Sequence, residues 1–373
     1  MFNKSDIKRD EFQLFGAQAK KGYDWWWHSF TAINAKSGEE KPFYIEFFFI
    51  NPKFANDEPI FGQLKENKEK GIVPSYLMVN VGTWGKKHLQ LHRFFAYKDV
   101  KIKAKAPFSI EAGDCYLDEK RTCGSVKLSA KEAKEHPEYL SDAGNITWDL
   151  KINKLIPFNV GYGASALFRR LQLFEMFWHA EGMKSTFEGR ITLDGEDYLV
   201  IPEKSYGYSD KNWGKDFTSP WVWLSSNNLT SKLTGRKLEN SAFDIGGGRP
   251  KIGPFALNRK LLSAFYYEGR CFEFNFSKFW TCTKTIFKGE ESEDEIIWHV
   301  EQKSTSGRMV VDIRCKKEDM LLINYEAPNG SKRHNRLWNG GNGYGTISLY
   351  KRNKLIDVIE ARNIGCEYGE FTE

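Results

Sequence analysis

Short runs in which apolar and polar residues alternate recur along nearly the whole chain, and this period of two is the strongest constraint on the fold. In NITWDLKI, the apolar side chains of Ile146, Trp148 and Leu150 alternate with polar ones. DVKIKAKA, which begins at Asp99, repeats the pattern. Such alternation is typical of a β-strand with one buried face, because successive side chains point to opposite sides of a sheet.

Further strands are predicted at PFYIEFFFI, SYLMVNV, RITL, DYLVI, PWVWLSS, SAFYY, RCFEFNF, IIWHVEQ, RMVVDIRC, LLINY, GTISLYKR and IDVIEAR. Gly, Asn, Asp and Pro separate these runs, as hairpin turns require. One helix is predicted at SAKEAKEHPEYLSD, residues 129–142, with a serine cap and an interruption at Pro137. A second short helix, or a lid-like segment, is predicted at ASALFRRLQLFEMF, residues 164–177.

The chain is therefore predicted to be all-β with minor α content, arranged as a β-sandwich or a β-barrel. Its 373 residues suit two domains, and a hydrophobic share of 40% can fill two cores. A tryptophan cluster precedes each strand-rich half, in GYDWWWHSFTA and in KNWGKDFTSPWVWLSS. We interpret this as two barrel-like domains, residues 1–195 and 196–373, with the DKNWG motif in the second.

The charge distribution argues against a nucleic-acid partner. The formal net charge is only +6, and the basic run KIKAK is offset by the acidic run EESEDE, whereas nucleic-acid-binding proteins concentrate basic residues on one face. The six cysteines include no C-x-x-C pair, no span of 18 apolar residues occurs, and MFNKSDIKRDEF lacks the apolar stretch of a secretory signal. We expect a reduced, cytoplasmic protein with at most peripheral membrane contact. Its oligomeric state is not predicted.

The stretch SYGYSDKNWGKDFTSPWVWLSSNN, residues 205–228, places Asp210 among three tryptophans and two tyrosines. If Asp210 is buried among these rings, its pKa rises above the free value of about 4, and it can act as a general acid. In an extended strand Tyr208 shares its face, whereas Lys211 points to the other side. Asn212–Gly214 are predicted to form a turn. The alternative to the functional interpretation is structural: Asp210 caps a turn and Tyr208 fills a corner.

Three histidines were considered as functional groups. His179 and Glu181 in FWHAEGMKSTFEG are two residues apart, so a strand would present both to one side, either as a proton relay or as a core histidine with a surface glutamate. His88 and His92 have His-x-x-x-His spacing but lack the glutamate of the zinc motif. No metal site is therefore predicted. The indoles of DWWWHS, centred on Trp26, either pack between two layers or line a pocket.

Two glycine clusters, GGGRPKIG and NGGNGYG, lack both the residue order of a phosphate-binding loop and a βαβ frame. We predict that they mark bulges, tight turns or close backbone approaches. The sequence has no Gly-x-Ser-x-Gly motif and no recognisable cysteine nucleophile motif. Serine-type and cysteine-type hydrolysis are therefore not supported.

The segment YGYSDKNWGKDFTSPWVWLSSNN resembles the tocopherol cyclase-like proteins, which are related more distantly to the carotenoid hydratases and to a wider lipocalin-like group. The shared pattern is an acid, Lys-Asn-Trp-Gly, an aromatic turn, Trp-x-Trp and an Asn. Four other segments also resemble this family: FWHAEGMKSTFEGRITLDG, SAFDIGGGRPKIGP, YYEGRCFEFNFSKFW and GTISLYKRNKLIDVIEARNIGCEYG. The resemblance covers about residues 175–369. Cyclases usually carry Glu where Asp210 stands, and hydratases carry His where Lys211 stands.

This resemblance implies two lipocalin-like antiparallel β-barrel domains with a ligand cavity near their meeting. It implies chemistry on isoprenoid alkenes without a cofactor: closure of a chroman ring or addition of water. By motif position, Asp210, Tyr208 and His179 are expected to be catalytic. The residues expected to bind a small apolar substrate are Trp26, Glu181, Lys211, Trp213, Trp221, Trp223 and Asn227.

Two other functions fit the same residues. A non-catalytic carrier of a lipid, quinone or pigment would use the same aromatic lining. A binder of glycans or single-stranded nucleic acid would instead expose its tryptophans to solvent. Catalysis requires Asp210 to lie in a dry pocket, which neither alternative needs.

Overall fold

The structure is a computed structural model that describes residues 4–54, 57–158, 176–217, 221–249, 251–252, 255–256, 260–330 and 333–369. Within these ranges the helices are short: α1 (Lys4–Arg9), α2 (Lys65–Glu69) and α3 (Ala130–Glu135). Single 3-10 turns lie at Tyr97–Asp99, Pro137–Tyr139, Pro202–Lys204, Phe279–Thr281 and Lys317–Asp319. No described helix has the length and apolar character needed to cross a membrane.

A first antiparallel sheet of twelve strands forms the N-terminal part. Its strands are β1 (Tyr23–Asn34), β2 (Glu40–Ile50), β3 (Tyr76–Thr83), β4 (Leu89–Phe95), β5 (Val100–Lys103), β6 (Ser109–Ala112), β7 (Cys115–Asp118), β8 (Arg121–Leu128), β9 (Gly144–Phe158), β10 (Met176–Leu193), β11 (Glu196–Val200) and β12 (Gly207–Gly214). Neighbouring strands follow the order β4-β3-β2-β1-β11-β10-β9-β8-β7-β6-β5, and β12 pairs with both β1 and β10.

The C-terminal part contains β13 (Trp221–Ser226), β14 (Asn228–Ser231), β15 (Ala242–Gly248), β16 (Lys251–Ile252), β17 (Phe255–Ala256), β18 (Lys260–Tyr267), β19 (Arg270–Asn275), β20 (Lys284–Glu291), β21 (Glu295–Lys303), β22 (Arg308–Lys316), β23 (Met320–Glu326), β24 (Arg333–Lys351) and β25 (Lys354–Gly369). Eleven of these strands form a second sheet. Nine of them follow the order β19-β18-β15-β13-β25-β24-β22-β21-β20. In addition, β14 pairs with β25 and β23 with β24, while β16 and β17 form a separate two-stranded sheet.

Each sheet closes around its own apolar core, and a third apolar cluster lies between the two barrels. In β1, Trp26 and Phe30 belong to the core of the first barrel, whereas Tyr23 and Trp27 belong to the cluster between the barrels. Both faces of β1 are therefore buried, which explains why three consecutive indoles are tolerated there. The prediction of an all-β chain with minor α content, built as two lipocalin-like antiparallel barrels, is confirmed.

The change from the first sheet to the second falls between Gly214 and Trp221. The sequence analysis places the join earlier, between residues 195 and 196, with DKNWG in the second domain. In the structure this motif is the end of β12, which β1 and β10 hold in the first sheet. The turn expected over Asn212–Gly214 is wrong, because strand pairing continues through Gly214.

The helix predicted over residues 129–142 is confirmed in its first half. Ser129 Oγ accepts a hydrogen bond from Glu132 N, and the Glu132 carboxylate accepts one from Ser129 N, which together form a capping box. Pro137 then begins a 3-10 turn. Of the helix or lid predicted at residues 164–177, only the last two residues are described, and they begin β10.

A network of charged groups lies inside the first barrel, centred on Lys154. Its side chain is 1% exposed, and Nζ lies 3.1 Å from Asp10 Oδ2 and 2.6 Å from both Glu119 Oε2 and Glu181 Oε2. Burial alone would raise the pKa of Asp10, but Lys154 and the neighbouring His179 hold it at about 2. One ammonium group thus compensates several carboxyl groups that have little access to water.

Replacing Lys154 with Met is expected to lower the free energy of unfolding by roughly 3–5 kcal/mol, because it leaves buried carboxylates without a cation. Lys151→Met is the matched control on β9, since Lys151 is 75% exposed and pairs with Glu188 at 3.6 Å. That change should cost less than about 1 kcal/mol. Urea denaturation at neutral pH measures both values. Equal values for the two variants would contradict a stabilising role for the buried network.

Candidate active site

A pocket lined mainly by aromatic rings lies between the two barrels. The cavity itself is about 30 Å³, within about 520 Å³ of space between the walls that is partly open to solvent. The pocket is therefore a narrow slot. Its lining residues are Trp25, Trp27, Met176, Asp210, Phe217, Trp221, Trp223, Tyr325, Leu337 and Glu367.

Strand register explains why Asp210 faces this pocket. Asp210 on β12 lies opposite Trp27 on β1, and Trp27 lies opposite Glu46 on β2. Residues that are directly opposite one another in an antiparallel sheet point to the same side. Because side chains alternate along β12, Tyr208 shares the face of Asp210, and Lys211 points into the first barrel.

The two carboxyl oxygens of Asp210 have different surroundings. Oδ2 accepts hydrogen bonds from Trp178 Nε1 at 2.8 Å and from Tyr208 OH at 3.4 Å, whereas Oδ1 is buried without a partner among the described residues. Burial, reinforced by the charge of Glu367, raises the pKa of Asp210 to about 8, although Trp178, Tyr208 and the nearby Trp25 oppose this shift. Asp210 is therefore mostly protonated at neutral pH, and Oδ1 can carry the proton.

Three more buried carboxyl groups lie around Asp210. Burial raises the pKa of Glu367 to about 7 and that of Glu46 to about 8. Burial also raises the pKa of Asp244 well above its usual range. Its Oδ2 lies 3.2 Å from Tyr208 OH, so Asp210 and Asp244 share the single proton of that hydroxyl group. No lysine or arginine in the described part of the chain offsets these shifts. The four groups therefore resist simultaneous ionisation.

Glycine residues let indole rings lie flat against the backbone beside these acids. A Cβ atom at Gly246 would lie 2.6 Å from a ring carbon of Trp178, whose Nε1 donates to Asp210. The same arrangement occurs for Gly365 against Trp223, which donates to Asp244, and for Gly341 against Trp84, which donates to Asn339. The predicted close backbone approach occurs at Gly247 and Gly345, one in each glycine cluster, where a Cβ atom would lie 2.3 Å from Lys260 O and 2.0 Å from Asp312 O.

Several predicted site residues lie on the opposite face of the sheet, inside the first barrel. Lys211 forms a buried ion pair with Asp24, and its Nζ lies 3.5 Å from the centre of the Trp26 ring. His179 Nδ1 lies 2.8 Å from Asp10 Oδ1, so the structure does not bring His179 to Asp210. The predicted residues that share this inner face are Trp26, His179, Glu181, Lys211 and Trp213.

The structure brings Asp210, Trp221 and Trp223 together in the pocket. Tyr208 does not line the pocket but forms a hydrogen bond with Asp210. Asn227 does not line the pocket. Its Nδ2 instead donates to Gly207 O at 2.8 Å and to Met183 O at 3.1 Å, which connects the start of the second sheet to the first barrel.

Trp178, Asp244 and Glu367 were not predicted from the sequence as site residues. Asp244 and Glu367 lie within SAFDIGGG and CEYG, segments that were used for the family pattern without a chemical role for their acids. Each comes from a strand remote in sequence from Asp210. No local pattern distinguishes such an acid from a surface one, because only the packing of the barrels brings it to the pocket.

The described residues contain no group of three or more His, Cys, Asp or Glu side chains that could hold a metal ion. His88 is exposed, whereas His92 is buried with Nδ1 at 2.7 Å from Tyr139 O. The two histidines therefore do not converge on one site.

Comparison with known proteins agrees with the geometry. Residues 120–369 match a family described as tocopherol cyclase-like. The chloroplastic tocopherol cyclase of Zea mays is 34% identical over 102 residues, and a protein of Oryza sativa subsp. japonica named as a tocopherol cyclase is 32% identical over 102 residues. These segments are 27% of this chain, which spans about a fifth (20%) of the length of these curated relatives.

The fold has a counterpart among solved structures. A Nitrosomonas europaea protein provisionally named AttH aligns over 96% of this chain and 95% of its own, at 13% identity and a TM-score of 0.50. Kievitone hydratase from Nectria haematococca aligns over 95% and 92%, at 12% identity and a TM-score of 0.44. The first similarity supports the fold alone, and the second is too low to support an argument about this chain.

Replacing Asp210 with Asn is expected to stabilise the protein above pH 8 and to change little below pH 4. Because the folded-state pKa of about 8 exceeds the ordinary 3.8, the folded protein keeps a proton that the unfolded chain releases. Stability therefore falls as the pH rises from about 4 to about 8. The variant should gain on the order of 2–3 kcal/mol at pH 9, within the limit of about 1.4 kcal/mol per pKa unit.

Urea denaturation at pH 4 and pH 9 measures this gain. Asp197→Asn is the control, since Asp197 is an exposed residue of β11. If Asp210→Asn loses as much stability between pH 4 and pH 9 as the wild-type protein does, Asp210 does not titrate as described.

Gly246→Ala is expected to destabilise the protein by about 1–3 kcal/mol, because the added methyl group overlaps the Trp178 ring. In a Trp178→Phe background, the smaller ring should remove much of this cost. A double-mutant cycle in urea measures the coupling, expected to exceed about 0.5 kcal/mol. If the two substitutions have additive effects, the strain does not arise from the contact between residue 246 and the Trp178 ring.

Proposed function

This chain belongs to the tocopherol cyclase-like family, and we propose that it catalyses acid-promoted cyclisation or hydration of an alkene in an isoprenoid or similar apolar substrate. The observation that supports this most is Asp210: it is buried and mainly protonated in a ring-lined pocket, and Oδ1 has no partner among the described residues. A neutral acid in a dry pocket is what protonation of an unactivated alkene requires.

In the proposed first step, the Oδ1 proton of Asp210 moves to one alkene carbon and leaves a tertiary cation on the other. Trp178 and Tyr208 already donate to Oδ2, so they stabilise the carboxylate as it forms without having to reorient. Tyr208 is therefore proposed as a positioning residue. His179 takes no part in this step, because it lies on the other side of the sheet.

The cation is proposed to lie against the rings of Trp25, Trp27 and Trp223, which line the pocket. Each such contact stabilises a desolvated cation by on the order of 1–2 kcal/mol. This is small against a protonation barrier, so exclusion of water and fixed folding of the substrate must supply the remainder. Trp213, which was expected to serve here, lies inside the first barrel instead.

Capture of the cation completes the proposed reaction. A phenol oxygen of the substrate would close a chroman ring, and a water molecule would give a tertiary alcohol. Trp27 lines the pocket, and its Nε1 is buried without a partner among the described residues. It is placed to donate to a substrate oxygen and so to orient the nucleophile. Both outcomes need only proton transfer and C–O bond formation, so neither needs a redox cofactor.

A carrier of a lipid, quinone or pigment is the second candidate. The apolar lining and narrow slot favour it, because they would hold such a molecule without any reaction. The third hypothesis, binding of glycans or single-stranded nucleic acid, requires accessible indoles. The indoles of Trp27 and Trp223 are only 5% and 4% exposed, whereas Trp280, outside the pocket, is 54% exposed.

Asp210→Asn is expected to reduce turnover of a geranyl-substituted hydroquinone by roughly a thousandfold, because the amide cannot supply the proton. Its affinity for the same compound should stay within about twofold, since the shape of the pocket is unchanged. Chromatography of the chromanol or tertiary alcohol measures turnover, and quenching of tryptophan fluorescence measures binding.

Asp197→Asn serves as the control and should retain wild-type turnover. A wild-type protein that binds the compound but never converts it would favour the carrier. Undiminished turnover in Asp210→Asn would overturn the role of Asp210.

A further inference from the structure

The second acid of the pocket, Glu367, has hydrogen-bond donors at both carboxyl oxygens. Trp221 Nε1 donates to Oε2 and Asn339 Nδ2 donates to Oε1, each at 2.5 Å. Trp84 Nε1 donates to Asn339 Oδ1 at 2.8 Å, which fixes the amide so that its NH₂ group points at Glu367. Donors at both oxygens stabilise the ionised form of a carboxyl group.

Asp210 has the opposite arrangement, since its Oδ1 has no donor within the described residues. The two acids come from different barrels: Asp210 from β12, and Glu367 from β25, where it lies opposite Trp223 and Asn339. Burial raises the pKa of both, to about 8 for Asp210 and about 7 for Glu367. Because Glu367 has the lower pKa of the two, it can act as a base while Asp210 is still protonated and can act as an acid.

We propose that Glu367 is the general base of the reaction, taking the proton from the nucleophilic oxygen as that oxygen bonds to the cation. This inference rests on the proposed function. The Asp210 proton forms a C–H bond with the alkene, and the phenol or water oxygen forms a C–O bond and loses its proton to a Glu367 carboxyl oxygen. One proton enters the substrate and one leaves it, so no oxidant or reductant is needed. The proton then passes from Glu367 back to Asp210, directly or through water.

Glu367→Gln is the test, with the geranyl-substituted hydroquinone as the substrate. The wild-type pH profile of kcat/KM should be bell-shaped, with an acid limb near pH 7 from Glu367 and an alkaline limb near pH 8 from Asp210. The variant should lose the acid limb and turn over roughly a hundredfold more slowly. Its alkaline limb should remain but lie at lower pH, because the charge of Glu367 no longer raises the pKa of Asp210. Asp357→Asn is the matched control on β25: Asp357 is 2% exposed, accepts hydrogen bonds from Ser231 Oγ at 2.8 Å and Tyr267 OH at 3.0 Å, and does not line the pocket. It should keep both limbs.

Two milder variants keep both carboxyl groups and guard against misfolding of Glu367→Gln. Trp221→Phe removes a donor from Glu367 and should move only the acid limb, upward by about one pH unit. Trp178→Phe removes a donor from Asp210 and should move only the alkaline limb, upward by a similar amount.

The outcomes separate the two proposals. An inactive Asp210→Asn together with a Glu367→Gln that keeps the wild-type rate and acid limb would overturn the base role and leave the acid role standing. An acid limb that Trp221→Phe does not move would overturn it as well. A wild-type protein without turnover would overturn the proposed function, and the base role with it.

Discussion

The burial of four carboxyl groups between two barrels, without a compensating cation in the described part of the chain, is the constraint on which the site depends. Water would keep these acids ionised, and a lysine beside them would do the same. Buried between the barrels, Asp210 instead holds its proton at neutral pH. Inside the first barrel, by contrast, Lys154 and Lys211 each form an ion pair with a buried acid. Lys154 and His179 hold the pKa of Asp10 at about 2, whereas burial raises the pKa of Asp210 to about 8.

Strand β12 separates these two sets of buried acids. Tyr208 and Asp210 point to the space between the barrels, whereas Lys211 points into the first barrel. Adjacent residues can therefore have opposite electrostatic surroundings, because a sheet buried on both faces keeps its two sides apart. Lys211 follows Asp210 directly in sequence, but its ammonium group lies on the other side of the sheet and so does not ionise the Asp210 carboxyl group. A shift of register by one residue would exchange the two faces and abolish the site.

The indole groups give the pocket both its apolar walls and its donors. Trp178, Trp223 and Trp84 lie flat against glycine residues, and their N–H groups donate to Asp210, Asp244 and Asn339. A ring held this closely by backbone has little freedom to turn, so its donor is fixed in direction. The glycine clusters therefore act indirectly on the proposed chemistry, by holding the groups that distinguish the protonation of Asp210 from that of Glu367.

The sequence alone determined the strand-rich fold, the serine cap of α3 and the shared face of Tyr208 and Asp210, because period-two alternation and helix caps are local properties. The sequence also showed that Asp210 lies in an aromatic-rich segment and that this segment carries the family pattern. Only the tertiary structure decided which acids meet. Glu367 and Asp244 arrive from strands far along the chain, and β10 turns His179 away from Asp210. It also placed DKNWG in the first sheet, because the pairing of β12 with β1 and β10 is long-range and leaves no local pattern.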